Sequence, residues 1–212
     1  MNSRSVCLGG LLLAGLFSAI VTTGFAAEPA ATVFHRKSGL IAGWSYDAWG
    51  NLTVESSKSV AKEAGGLSLA VTPTASAAPY AGLQMGAGSS GDIALGDLLR
   101  KGGEVHLYLR NGNDQAGQPA LPQSLQVMLS FQAAGGKVIN GKYEPVVLET
   151  ATADMKTPAG WALIKISIPG QLQGKVDPAA PVKLHGVYVQ YIDQPAAGYF
   201  VGECVVVNKP AK

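Results

Sequence analysis

Between Trp44 and Trp49 the chain places two of its three tryptophans, with Tyr46 and Asp47 between them. Aromatic residues are only 7% of the chain, so the cluster stands out. A flat aromatic face can stack on the apolar side of a pyranose ring, while carboxylates, amides or guanidinium groups hold its hydroxyls. The segment has that mix. The same tryptophans could equally seed a core, because each buries a large area and has one N–H to satisfy. A second sugar-competent set lies at alternate positions further on: His106, Tyr108 and Arg110, then Gln126, then Tyr188 and Gln190. Spacing of two along a strand puts Tyr108 and Arg110 on one face roughly 6–7 Å apart, so one could stack on a sugar while the other donates hydrogen bonds. An ordinary solvated sheet face has the same composition.

Signals for catalysis are poor. The sequence has no Gly-x-Ser-x-Gly elbow and no phosphate-cradling glycine loop. His35, His106 and His185 are scattered, and no spacing aligns two of them on a metal. Folding could still bring together two of Asp47, Glu104, Glu149 and Glu203, the carboxylate pair a glycosidase needs, but nothing selects a pair. Asn111-Gly112-Asn113-Asp114 resembles an oxygen-rich calcium loop without the ligand pattern of an EF-hand, and reads as readily as a tight turn. Asn51-Leu52-Thr53 fits a glycosylation acceptor.

The elements that must position these residues are short strands. From Val33 onward, apolar runs alternate with Gly, Pro and Ser, and 27 glycines and 12 prolines fit many turns. Strands are expected at Asn51–Ser56, Leu67–Thr72, Tyr80–Gly86, Glu104–Asn111, Ser124–Gln132, Val146–Thr152, Trp161–Ile168, Val182–Ile192 and Tyr199–Val207, the pattern of an all-β sandwich or barrel. Alternation puts Val105, Leu107 and Leu109 on one face, Leu125, Val127, Leu129 and Phe131 on another, and Ala162, Ile164, Ile166 and Ile168 on a third. A one-residue slip would turn each row into solvent. Trp161 falls on the side opposite its isoleucine row. Asp92–Arg100 has helical spacing and predicts one short helical turn capped by Asp92. Glu28–Thr32 reads as a loose lead-in, and Asn111–Gln123 as a long loop.

The first residues set the compartment. Arg4, the apolar run Cys7–Thr22 and the small residues Gly24-Phe25-Ala26-Ala27 have the layout of a secretory leader cut after Ala26. An N-terminal membrane anchor is the alternative, but the run is short for a span of roughly 20 apolar residues. Residues 1–26 are therefore a signal peptide, 27–212 a single domain, and the expected location secreted, periplasmic or cell-surface, with no stable membrane span after cleavage. Beyond the leader only Cys204 remains, which excludes an internal disulfide and reads as a buried small hydrophobe. A formal net charge of +2 creates no strong field for nucleic acid or anionic lipid.

Several segments together resemble the jelly-roll carbohydrate-binding modules of the galactose-binding-like superfamily. They are Gly43-Trp44 with Trp49, Gly65-Gly66-Leu67-Ser68-Leu69-Ala70-Val71, Tyr80-Ala81-Gly82-Leu83-Gln84, and Gly91–Leu99. Trp161–Ile168, Leu184–Gln190 and Tyr199–Val205 complete the pattern. The resemblance covers almost all of 27–212 and implies a jelly-roll β-sandwich that binds polysaccharide without catalysis. It also implies a structural calcium ion on the last strand in some relatives. Here the usual Asp-Asp is replaced by Gly202-Glu203, leaving Glu203 as the one candidate ligand. The reading is thus an all-β jelly-roll sandwich binding a polysaccharide or glycan, with Tyr108, Arg110, Gln126, Tyr188, Gln190, Trp44, Tyr46 and Trp49 as candidate contacts. A structural or interaction protein of the cell envelope or matrix is the first rival, and a small polysaccharide hydrolase or lyase the second. The particular sugar and the oligomeric state stay open.

Overall fold

Alternating apolar and polar residues become two antiparallel sheets packed face to face in the structure, a computed structural model that describes residues 29–35, 37–58, 66–88, 91–96, 102–112, 123–148, 161–177 and 180–208. The strands are β1 (Pro29–His35), β2 (Gly39–Leu40), β3 (Trp44–Trp49), β4 (Leu52–Ser57), β5 (Ser68–Pro73), β6 (Gly82–Ala87) and β7 (Ile93–Ala94). They continue as β8 (Glu104–Asn111), β9 (Gln123–Ala133), β10 (Val138–Asn140), β11 (Glu144–Leu148), β12 (Trp161–Ser167), β13 (Val182–Tyr191) and β14 (Tyr199–Val207). One helix, α1 (Ile168–Leu172), follows β12.

The first sheet runs β12-β8-β14, and the other edge of β14 is shared end to end by β5, which carries β4, and by β1, which carries β2. In the second sheet the order is β9-β13-β6-β3, with β10 and β11 sharing the outer edge of β9 and β7 pairing on β13 beyond β6. The chain changes sheet into and out of β3, from β5 to β6, into and out of β8, and at each step from β11 through β12 and β13 to β14. That is a jelly roll. Its inner rows meet in one core: Leu107, Leu109, Leu125, Leu129 and Ile166 are fully buried, Val127 nearly so, and Ile164 packs half-buried against them. Tyr191 and Tyr199 meet edge to face in it, ring centroids 5.4 Å apart.

Several local expectations are corrected. Asp92–Arg100 does not begin as a helix: Ile93–Ala94 is a strand, the chain turns helical at Gly96, and residues 97–101 lie outside the described set. Asp92 does not cap it but holds His185 Nδ1 at 2.8 Å. A further short helix falls at Ile168–Leu172, where Pro169 cannot extend a ladder and Ser167 Oγ accepts the Gly170 N–H at 3.2 Å. Glu28–Thr32 is not a loose lead-in from Pro29 on, because β1 pairs with β14. Pro29 is tolerated there as the first residue of the strand. Tyr80 lies in a turn, and its strand starts at Gly82. Residues 1–26, with the expected cleavage point, lie outside the described residues.

Two bulges reset the alternation. In β13 the register shifts between Leu184 and Gly186, so Val182 and Leu184 point inward and then Val187, Val189 and Tyr191 do. In β14 the shift between Val201 and Cys204 carries the inward set from Tyr199 and Val201 to Cys204 and Val206. Cys204 is fully buried, and burial first, then nearby Glu203, raises its thiol pKa well above the ordinary range.

Candidate functional site

Register decides which side chains share a face. Directly opposed residues in the second sheet give three outward rows. One is Trp49, Gly82, Gln190, Gln126 and Pro145; the next is Asp47, Gln84, Tyr188 and Met128; the third is Ser45, Gly86, Gly186, Ser130 and Asn140. The rows lie two residues apart, roughly 6–7 Å. The β13 bulge makes this possible, since without it Tyr188 and Gln190 would sit on the side of Leu184.

The glycines in these rows are contact points. A Cβ on Gly82 would fall 2.3 Å from Trp49 Cζ2, so the indole lies directly over that position. The indole N–H donates to the Tyr80 carbonyl at 2.7 Å, and Trp49 and Tyr188 have ring centroids 6.3 Å apart at 55°. Gly86 makes room for the Gln84 amide, and Gly186 for Ser130 Oγ and the Tyr188 ring. Between them a shallow hollow of about 230 Å³ is lined by Ser45, Asp47, Gln84, Gly86 and Ala87. Gln190 and Met128 are largely covered, while Asp47 and Ser45 are open to solvent and Tyr188 and Gln84 partly so.

Tyr143, 40% exposed, stands at the head of β11. Burial first, and then the neighbouring Tyr188 phenol, raise its pKa. Gln171 of α1 positions it by filling the gap between β10 and β11. Its Oε1 accepts the N–H groups of Leu129 (3.2 Å) and Lys142 (3.1 Å), and its Nε2 donates to Lys142 O (2.9 Å) and Glu144 Oε1 (2.6 Å). Together Trp49, Tyr188 and Tyr143 supply aromatic surface, and Asp47, Gln84, Gln126 and Ser45 supply polar groups.

This site overturns the grouping drawn from the sequence. Tyr108 and Arg110 belong to β8 in the first sheet, whereas Gln126, Tyr188 and Gln190 belong to the second, so the five do not form one groove. On the first sheet Tyr108 is opposed by Leu163 and Arg110 by Trp161, and the Trp161 ring packs over Gly202, leaving it 2% exposed. The Trp44–Trp49 segment is also divided. Trp44 and Tyr46 are opposed by Ala87 and Met85, on the core side of β3. Trp44 is buried, its N–H bonded to Gly91 O at 2.5 Å, while Tyr46 emerges at the sheet edge. Trp49 and Asp47 face outward. Gln84, Met128 and Tyr143 were not singled out in the sequence, although glycines inside apparent strands, as at Gly82, Gly86 and Gly186, commonly mark a close approach.

The carboxylates and histidines that the sequence offered for catalysis or metal binding are spread over both sheets. Glu104 pairs with His106 at 3.0 Å on the first sheet, Asp92 holds His185, and His35 Nδ1 accepts the Lys37 N–H. Asp47 lies on the second sheet and Glu203 on the first, and Glu149 lies outside the described residues. Calcium takes six to eight oxygen ligands. Among the described residues no group of three or more His, Cys, Asp or Glu converges anywhere, so a carboxylate-rich cage around Glu203 is not formed by them. Asn51 Nδ2 donates to Ser76 O at 2.9 Å, which occupies the amide of the glycosylation triplet.

No protein-family model and no curated protein sequence matches the chain. Solved structures do. The C-terminal family 22 carbohydrate-binding module of Clostridium thermocellum Xyn10B, described for ligand binding in its cleft, is similar at a TM-score of 0.50 and 13% identity, over 87% of this chain and 95% of that one. A family 11 carbohydrate-binding module from Clostridium thermocellum, in complex with a β-1,3-1,4-mixed-linked tetrasaccharide, gives 0.48 and 13% over 86% of this chain and 98% of its own. A structure of carbohydrate-binding modules of the β-sandwich superfamily gives 0.47 and 16% over 83% of this chain, which spans 61% of that structure. At such identities the likeness is one of fold: the chain has the jelly-roll sandwich of carbohydrate-binding modules. No helix among the described residues is long and apolar enough to cross a membrane.

Proposed function

We propose that the chain is a secreted, non-catalytic carbohydrate-binding module that holds a polysaccharide against the outer face of its second sheet. One observation carries this reading: register brings Trp49, Tyr188, Gln84, Gln126 and Asp47 onto a single face, with an indole lying over a glycine. An aromatic surface of that kind suits the apolar side of a sugar ring, and the amides and the carboxylate suit its hydroxyls. Among the described strand residues of that face Asp47 is the sole carboxylate, while hydrolysis by the common glycosidase route uses two. The leader-like residues 1–26 favour export, and the likeness in fold to carbohydrate-binding modules favours the ligand class. The test is migration of the mature protein in native gels cast with a panel of soluble neutral and charged polysaccharides. Retardation by at least one of them is expected; unretarded migration in all of them would refute the reading.

A further inference from the structure

Among the described residues the non-glycine positions with positive φ are Asn51 (60°) and Tyr80 (59°), and they flank Trp49 on two adjacent loops. Asn51 needs no special account, since asparagine visits this region readily and its side chain bonds Ser76 O. Tyr80 does. Pro79 and Tyr80 are the central residues of a turn closed by the Ala81 N–H to Ala78 O at 3.3 Å. Proline first and positive φ second is the type II arrangement, whose second central position is ordinarily glycine. A tyrosine there is strained, and its ring recovers little by packing, being 54% exposed.

The surrounding structure forces that conformation. The Ala78 N–H donates to Gly50 O at 2.9 Å, Gln194 Nε2 donates to Ala77 O, and a Cβ on Gly50 would strike Ala81 at 2.6 Å. The turn is thus held against the end of β3, and its product is the Tyr80 carbonyl that fixes the Trp49 indole. Glycine would make the same carbonyl contact without strain, so the backbone's task does not account for the side chain.

We infer that Tyr80 is a ligand-contact residue: its exposed ring extends the aromatic surface beyond Trp49, past the end of the sheet, and takes a further sugar unit of a bound polysaccharide. This rests on the binding role proposed above. The test is retardation in a polysaccharide gel that retains the wild type, together with thermal melting, for Tyr80→Gly, Tyr80→Ala and Tyr188→Ala. Tyr80→Gly should weaken binding about tenfold, the order of one aromatic contact, while raising the melting midpoint as strain is relieved. Tyr80→Ala should weaken binding equally without that rise. Binding within about twofold of wild type for both Tyr80 variants, with Tyr188→Ala unretained, would overturn the Tyr80 assignment alone. A wild type retained by no polysaccharide would overturn the binding role and this assignment with it.

Discussion

Replacing Gln171 by leucine should loosen the sandwich at the place where its binding face is held in shape. The side chain is fully buried and makes four hydrogen bonds across the gap between β10 and β11. Leucine fits the volume but satisfies none of them. The Leu129 N–H, inside the core strand β9, would lose its acceptor at about 1–3 kcal/mol, and the bond to the Glu144 carboxylate contributes about 1.5–3 kcal/mol. The two bonds to Lys142 lie nearer solvent and can be replaced by water. The total is about 2.5–6 kcal/mol, a large part of the 5–15 kcal/mol typical of a domain. Urea unfolding followed by circular dichroism measures it, and hydrogen exchange should show faster opening at Leu129 and Lys142 than in β4, on the side of the first sheet away from β12 and α1. A Cβ on Gly141 would lie 1.9 Å from Gln171 Oε1, so Gly141→Ala should disturb the same region. A loss below about 1 kcal/mol for Gln171→Leu would show that the amide is not the strut described.

Gly82→Ala places a methyl group where the Trp49 ring lies, so the indole must leave its platform; polysaccharide retention should fall, with a destabilisation of about 1–3 kcal/mol from overpacking seen as a lower melting midpoint. Tyr191 and Tyr199 both have phenol pKa values raised by burial from the usual 10.0. Their raised folded-state values give stability that is present below pH 10 and lost above it, because the unfolded chain then releases protons the native state keeps. Phenolate absorbance should accordingly appear for these two only as the protein unfolds in alkali, and a titration complete in the native state would contradict their burial.

The strands were legible because alternation is a physical demand of a half-buried sheet, and Glu104–Asn111 and Tyr199–Val207 have the bounds read from it. What alternation cannot say is which of two sheets a strand joins. Tyr108 with Arg110 and Tyr188 with Gln190 carry the same signature, yet they lie on opposite sides of the molecule. That depends on long-range pairing. The division of the Trp44–Trp49 segment was within reach: an odd spacing of five along a strand sends two residues to opposite faces. The bulges at Leu184–Gly186 and Val201–Cys204 fall at His185-Gly186 and Gly202-Glu203, where a glycine inside a strand is a bulge signal that alternation alone does not use. The site's floor was written in Gly82, Gly86 and Gly186, whose meaning depends on neighbours that no local pattern reveals.

Which sheet face meets the ligand is tested most directly by comparing Tyr188→Ala with Tyr108→Ala, from opposite sheets, in one gel containing a polysaccharide that retains the wild type. Loss of retention for Tyr188→Ala, with Tyr108→Ala retained as wild type and both variants folded by circular dichroism, is the expected result. Retention by Tyr188→Ala and loss by Tyr108→Ala would place the ligand on the first sheet and contradict the site described.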